Sequence, residues 1–177
     1  IVQNNKIELE FLKRDISELE KTSSPFDRIT YEKAIDILRN REFKIVDKEI
    51  LRNIEYGDDL SIESERILTE NSSKPLFVIG YPLQIKPFYV KEDAFKDGLG
   101  LAADLLAPNG FGEIISGGLR EDNLDNLEKR MMLEGLEKRN YDWYLDLRRY
   151  GSVPHGGFGL GIERLMRWVL NINDIKD

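Results

Sequence analysis

The stretch Pro154-His155-Gly156-Gly157-Phe158-Gly159-Leu160-Gly161-Ile162-Glu163-Arg164-Leu165 places an arginine directly behind a segment in which glycines alternate with other residues. Gly157, Gly159 and Gly161 leave one face of that extended segment without side chains, so a flat ring can lie against bare backbone. Arg164 then falls in the first turn of a helix, where its guanidinium and the free backbone N–H groups both favour phosphate oxygens. In isolation the segment also reads as a Gly-rich turn ahead of a surface helix. A second set of residues weighs against that reading: Asp104, Glu113, Ser116, the pair Gly117-Gly118, and Arg120. Carboxylates of Asp104 and Glu113 on neighbouring strands offer hard oxygen ligands suited to Mg²⁺ held jointly with phosphates. Glu113 and Ser116 point to opposite faces of a regular strand, so joining them takes a twist or bulge, expected at Gly117-Gly118. Arg120 can grip a carboxylate or an amide oxygen with two donors. Singly, each of these is an ordinary surface charge. With Arg164 they are the composition of a site for ATP and an anionic small substrate, as a metal-ligating and ATP-binding set.

The elements that must position these groups are short. Leu9, Leu12, Ile16 and Leu19 recur at helical spacing and predict one helix ending near Lys21. The linker Thr22-Ser23-Ser24-Pro25 precedes a helix capped by Thr30, with Ala34, Ile35, Ile37 and Leu38 on its buried face. Asp59 or Ser61 is placed to cap a third helix running through Leu68. Beyond Pro75 the pattern changes to strands at Leu76 to Gly80, Phe88 to Val90, Leu99 to Leu106 and Glu113 to Ser116. Helices return at Asp122 to Glu134 and Asp142 to Tyr150, before the Gly-rich strand and a last helix from Ile162 to Leu170. Clustered strands with helices before and after predict an α+β fold on an antiparallel sheet, in one domain. Glycines that alternate along the strand itself do not match a dinucleotide-binding fingerprint, which needs them in the turn between strand and helix.

Composition narrows the function classes. A chain of 177 residues with 41% hydrophobic content can bury one sizeable core. The net charge of −7 argues against a generally basic nucleic-acid-binding surface. The apolar run Leu99-Gly100-Leu101-Ala102-Ala103 is far short of the ~20 residues a spanning helix needs, so no membrane partner is expected. Without cysteine there is no disulfide and no thiolate metal site, which fits a cytoplasmic protein. The charges Glu128-Lys129-Arg130 and Lys138-Arg139 read as solvated helix faces, and Trp143, Tyr144, Phe158 and Trp168 as packing residues. His155, the one histidine, reads as a structural hydrogen-bonding residue.

Tyr144 to Leu165, read as Tyr-Leu-Asp-Leu-Arg-Arg-Tyr-Gly-Ser-Val-Pro-His-Gly-Gly-Phe-Gly-Leu-Gly-Ile-Glu-Arg-Leu, resembles the third signature motif of class II aminoacyl-tRNA synthetases, in the aspartyl and asparaginyl branch. The likeness extends through Glu113 to Asp122, Tyr81 to Tyr89 and Phe26 to Tyr31, and so covers nearly the whole chain. It implies a class II sheet flanked by helices, activation of an amino acid by ATP to an aminoacyl-adenylate, and transfer to tRNA. By resemblance, Arg164 packs on adenine and reaches the terminal phosphate, Glu113 and Ser116 ligate the metal, Asp104 lies near the phosphates, and Arg120 reads the amino-acid side chain. Catalysis would come from positioning and charge neutralisation, with no protein nucleophile.

Arg120-Glu121-Asp122 and the stretch Trp143 to Pro154 resemble the asparaginyl side of the branch, which implies asparagine and tRNA(Asn) as substrates. Ser116 stands where Gly is common there and is the aspartyl-like choice. The aspartyl activity, and more distantly a synthetase-derived asparagine synthetase, remain alternatives. The family's first motif forms its dimer interface, so the resemblance implies a homodimer of the full-length protein, but no segment here matches that motif, the second motif or the anticodon-binding barrel. Residues 1–177, opening at Ile1 in a helical pattern, are therefore expected to be the C-terminal portion of a catalytic domain, supplying part of the site and inactive alone. The alternative from another class is a non-catalytic synthetase-like module for binding or structure.

Overall fold

Strand β3 (Leu99–Ala107) lies at the centre of a five-stranded sheet, between β2 (Leu76–Pro82) and β4 (Gly112–Leu119), with β1 (Asp27–Thr30) and β5 (Gly156–Leu160) at the edges. In this computed structural model, which describes residues 1–40 and 54–176, the order in space is the order in sequence. Pairing is antiparallel from β2 to β5, while β1 runs parallel to β2. The sheet is thus mixed where the sequence predicts an antiparallel one. The difference lies in β1, whose four residues carry too short a pattern to register as a strand.

Side chains on β3 alternate between faces, as the pleat requires. Ala102 and Leu106 join Val78 and Tyr81 in a core closed by α3 (Tyr31–Asn40) and α4 (Ile62–Thr69). Leu105 and Ala107 face the other way, toward Ile114 and toward Trp168 and Val169 of the last helix, α7 (Ile162–Leu170). A third cluster forms where Phe88 meets Leu127 and Met131 of α5 (Leu124–Leu133) and Leu145 of α6 (Asp142–Arg149).

Local signals explain most boundaries. Ser61 begins α4 with its hydroxyl accepting the Ser64 N–H, Asn123 does the same for α5 at the Asn126 N–H, and the Thr30 hydroxyl accepts the Lys33 N–H ahead of α3. Asn171 ends α7 in the left-handed conformation, φ 56°. The first predicted helix is instead two, α1 (Lys6–Phe11) and α2 (Ile16–Glu20), split at Lys13 with φ 57°. Asp15 restarts the chain by accepting the Ser17 N–H, and Leu12, assigned by periodicity to the buried face, is 55% exposed. Arg14, buried at the split, donates from Nε to the Val169 carbonyl at 2.9 Å and so ties α2 to the end of α7. The expected strand Phe88 to Val90 is a turn: Val90 makes only an isolated bridge to Arg120 and bonds back to the Pro87 carbonyl.

Candidate active site

The site begins with a register shift. Asp104 pairs with Ser116 and Leu105 with Ile115, but Leu106 pairs with Glu113, so Ile114 is the extra residue of a β-bulge. Because Asp104 and Leu106 share a face, the bulge turns Glu113 and Ser116 to that same face. The bulge lies at Ile114 and not at Gly117-Gly118. Those glycines have another role: a Cβ on Gly117 would stand 2.7 Å from the Phe158 Cβ, and one on Gly118 2.8 Å from the Leu101 carbonyl oxygen. Close approach of the strands excludes any side chain there.

Acidic groups form the floor. Asp104 Oδ1 accepts the Ser116 hydroxyl at 2.6 Å, and Asp104 Oδ2 accepts the Lys86 ammonium at 2.8 Å. Lys86 lies 3.6 Å from the centroid of the buried Tyr81 ring. Glu65 of α4 accepts the Glu113 N–H at 2.9 Å. Burial pushes the Glu65 carboxyl up to about 7, against the backbone hydrogen bond from Glu113. Burial and then Asp104 raise Glu113 as well, with Arg164 and Lys86 opposing, and burial with Asp104 raises the Tyr81 phenol.

Cations frame this floor. Arg164, in the first turn of α7, donates from Nη1 to the Glu113 carbonyl at 2.9 Å and lies 3.3 Å from Glu113 Oε1. Arg120 is held from two sides. Its guanidinium packs over the Tyr89 ring at 4.6 Å, and a Cβ on Gly157 would stand 3.1 Å from its Nη2. Its backbone N–H donates to the His155 carbonyl at 2.9 Å, while the His155 ring Nδ1 lies 2.7 Å from the Val153 carbonyl. Behind it, the buried Arg148 donates from Nε to the Glu121 carbonyl at 3.0 Å. Among the described residues Asp104 pairs with Lys86 and Glu113 with Arg164, and no carboxylate pairs with Arg120.

Asp104, Glu113, Ser116, Arg120 and Gly159 line one cavity of about 480 Å³. A Cβ on Gly159 would meet nothing within 4 Å, so the bare face of the Gly-rich strand is open at this point. Arg164 and Gly161 lie outside the lining; Arg164 joins it through Glu113, and its side-chain carbons pack 3.4–3.5 Å from where a Cβ on Gly161 would be. A larger opening of about 930 Å³ occupies the opposite face between apolar residues such as Phe77, Leu101 and Phe158, and none of the candidate site residues lines it. Sequence reasoning did not single out Glu65, Lys86 or Tyr89. Lys86 and Tyr89 lie inside the motif-like stretch Tyr81 to Tyr89, whereas Glu65 sits on a helix with no local signal.

Among the described residues no group of three or more His, Cys, Asp or Glu is arranged to hold a metal ion by itself. Two carboxylates and a hydroxyl fit Mg²⁺ in the manner usual for that ion, which takes one or two carboxylates together with substrate phosphates. Chemically the cavity offers charge complementarity and orientation, with a guanidinium that no described carboxylate pairs at one end and paired acid–base groups at the other.

Residues 3–177 match the family of class II tRNA synthetases (D, K and N). The asparagine–tRNA ligase of Pyrococcus horikoshii is 50% identical over 171 residues, which make up 97% of this chain and 37% of that protein. The crystal structure of the P. horikoshii asparaginyl-tRNA synthetase complexed with asparaginyl-adenylate superposes with a TM-score of 0.87 at 50% identity, covering 98% of this chain and 38% of that one. The aspartyl tRNA synthetase of Entamoeba histolytica gives 0.71 at 31% identity, over 85% of this chain and 30% of its own. The chain therefore spans a little over a third of the length of the asparaginyl relatives it matches. No described helix is long and apolar enough to cross a membrane.

Proposed function

The chain belongs to the class II tRNA synthetases of the D, K and N group, and from that premise we propose that it supplies part of a site activating asparagine with ATP for transfer to tRNA(Asn). Residues 1–177 are then the C-terminal portion of the catalytic domain, and the complete enzyme acts as a cytoplasmic homodimer. The observation that carries the reading is Arg120: a guanidinium fixed by Tyr89 and Gly157, uncommitted to any described carboxylate, in the same cavity as Asp104, Glu113 and Ser116.

Each group has a role in this reading. Arg120 presents paired N–H donors to the side-chain oxygen of the amino acid. Arg164 swings from Glu113 to the nucleotide, its guanidinium over the ring that lies against Gly159 and its N–H groups on the terminal phosphate. Asp104, Glu113 and Ser116 would hold Mg²⁺, which when bound supplies charge neutralisation for the phosphates. The substrate carboxylate attacks the α-phosphorus in line and pyrophosphate leaves. The protein contributes orientation and electrostatic stabilisation. The higher TM-score and identity of the asparaginyl structure relative to the aspartyl one favour asparagine over aspartate.

The test is amino-acid-dependent ATP–pyrophosphate exchange by the native-length protein, with asparagine and aspartate compared. Exchange with asparagine alone is expected. Exchange with aspartate alone would overturn the substrate assignment, and none with either would favour the non-catalytic module.

A further inference from the structure

We propose that Lys86 is the resident counter-cation of the acidic floor, a positioning residue that holds Asp104 in the metal-free protein and makes uptake of a divalent cation depend on a polyphosphate arriving with it. The inference rests on the nucleotide-binding reading given above.

Asp104 is 4% exposed and both of its oxygens are engaged, one by the Ser116 hydroxyl and one by the Lys86 ammonium. The Lys86 side chain is itself only 12% exposed, between the Tyr81 ring and the carboxylate. Its backbone is pinned from the far side, because Arg130 of α5 donates from Nη2 to the Lys86 carbonyl at 3.0 Å and to the Leu83 carbonyl at 3.2 Å. This is a fixed ion pair rather than a solvated surface contact. Glu113 has a looser partner, the more exposed Arg164 at 3.3 Å. The two carboxylates offered as metal ligands, Asp104 and Glu113, are therefore each paired with a cation.

That pairing has a consequence for metal uptake. A bare divalent cation approaching the floor meets two positive charges already bound to its prospective ligands, and displacing Lys86 within its confined site leaves that charge without a partner. A polyphosphate changes the balance, because its oxygens accept from Lys86 and Arg164 while the carboxylates are released. Lys86 thus turns from Asp104 to phosphate. It couples the two ligands through a change of partner, with no movement of the backbone.

The experiment uses the native-length protein, with Mn²⁺ followed by electron paramagnetic resonance alone and with inorganic tripolyphosphate. Wild type is expected to bind Mn²⁺ alone weakly, with tripolyphosphate tightening it about tenfold or more. Lys86→Met is expected to bind Mn²⁺ alone about tenfold more tightly than wild type, with the tightening by tripolyphosphate reduced to match. Lys86→Gln keeps a donor for Asp104 and removes only the charge, so it carries the test should Lys86→Met not fold. Unchanged or weaker binding of Mn²⁺ alone in the folded variant, or a gain with the tightening by tripolyphosphate left as in wild type, would overturn the role of Lys86. Asparagine-dependent exchange by wild type is measured alongside. Its presence with unaltered Mn²⁺ affinity in the variant removes only this inference, whereas its absence removes the activity reading itself.

Discussion

The Ser116 hydroxyl donates to the Asp104 carboxylate at 2.6 Å across the β3–β4 ladder, from the face that Glu113 shares only because Ile114 is the extra residue of a bulge. In the metal-free protein Ser116 thus orients an acid of the floor through its hydroxyl. Its aspartyl-like identity need not bring aspartyl specificity.

Ser116→Gly is accordingly expected to leave the preference for asparagine over aspartate unchanged in pyrophosphate exchange. Asp104 Oδ1 loses its donor, so stability falls by about 1–3 kcal/mol, the cost of an unsatisfied buried acceptor. A shift in the asparagine-to-aspartate ratio on this substitution would show that Ser116 takes part in substrate choice.

Arg120→Ala removes the guanidinium that Tyr89 and Gly157 hold in place. Loss of a charge-assisted pair to the substrate at about 1.5–3 kcal/mol per bond predicts a fall of roughly 10²-fold or more in kcat/KM for asparagine. The KM for ATP should change little. An equal rise in both KM values would place Arg120 in the general architecture and not in amino-acid recognition.

For Arg164→Ala, function and stability should separate. The Arg164 side chain is 47% exposed and its ion pair with Glu113 is 3.3 Å long, so stability should move by no more than about 1 kcal/mol. Exchange should nonetheless drop about 10²-fold or more, as expected for a lost electrostatic contact to the reacting phosphates. Parallel measurement of thermal melting and exchange distinguishes the two; loss of both together would point to a structural role.

Glu65 gives the site a pH signature. Its carboxyl is raised from an ordinary 4.5 to about 7 in the folded protein, chiefly by burial. Between those values the folded state binds more protons than the unfolded one, so stability is greatest below the lower value and declines as pH rises through the upper. Glu65→Gln keeps an acceptor for the Glu113 N–H and cannot ionise. In metal-free buffer the variant should melt higher than wild type at pH 8 and lose that advantage at pH 5. Parallel melting curves across this range would mean that Glu65 stays ionised throughout.

How much of this was legible in the sequence depends on the range of the interaction. The last helix is bounded by its own residues, from the Gly-rich strand to Asn171, and the expected span Ile162 to Leu170 is the one found. The glycines and acids of the cavity were visible as a set because they lie on consecutive strands. Lys86 and Glu65 were not, because their partners Asp104 and Glu113 are 18 and 48 residues away and nothing local marks either pairing. The bulge was expected from the need to join Glu113 to Ser116 but was put at the glycines, whose absent side chains instead reflect strand approach. Periodicity likewise merged α1 and α2, since Leu9, Leu12, Ile16 and Leu19 fit one helix face while Lys13 and Asp15 impose a break.

Gly117 offers the sharpest test of that last distinction between a bulge glycine and a packing glycine. A methyl there would stand 2.7 Å from the Phe158 Cβ and 2.8 Å from the Gly157 carbonyl oxygen, both on β5. Neither contact is with the end of a flexible side chain, so relief requires β5 to move away from β4. Overpacking of this kind costs about 1–3 kcal/mol, and here the displaced strand also carries the backing for Arg120. Gly117→Ala should therefore lower the melting temperature and raise the KM for asparagine together, with faster amide exchange confined to the β4–β5 ladder. If the melting temperature stays that of wild type while catalysis alone fails, the strands have room for a methyl, and the glycine serves the substrate rather than the packing of the sheet.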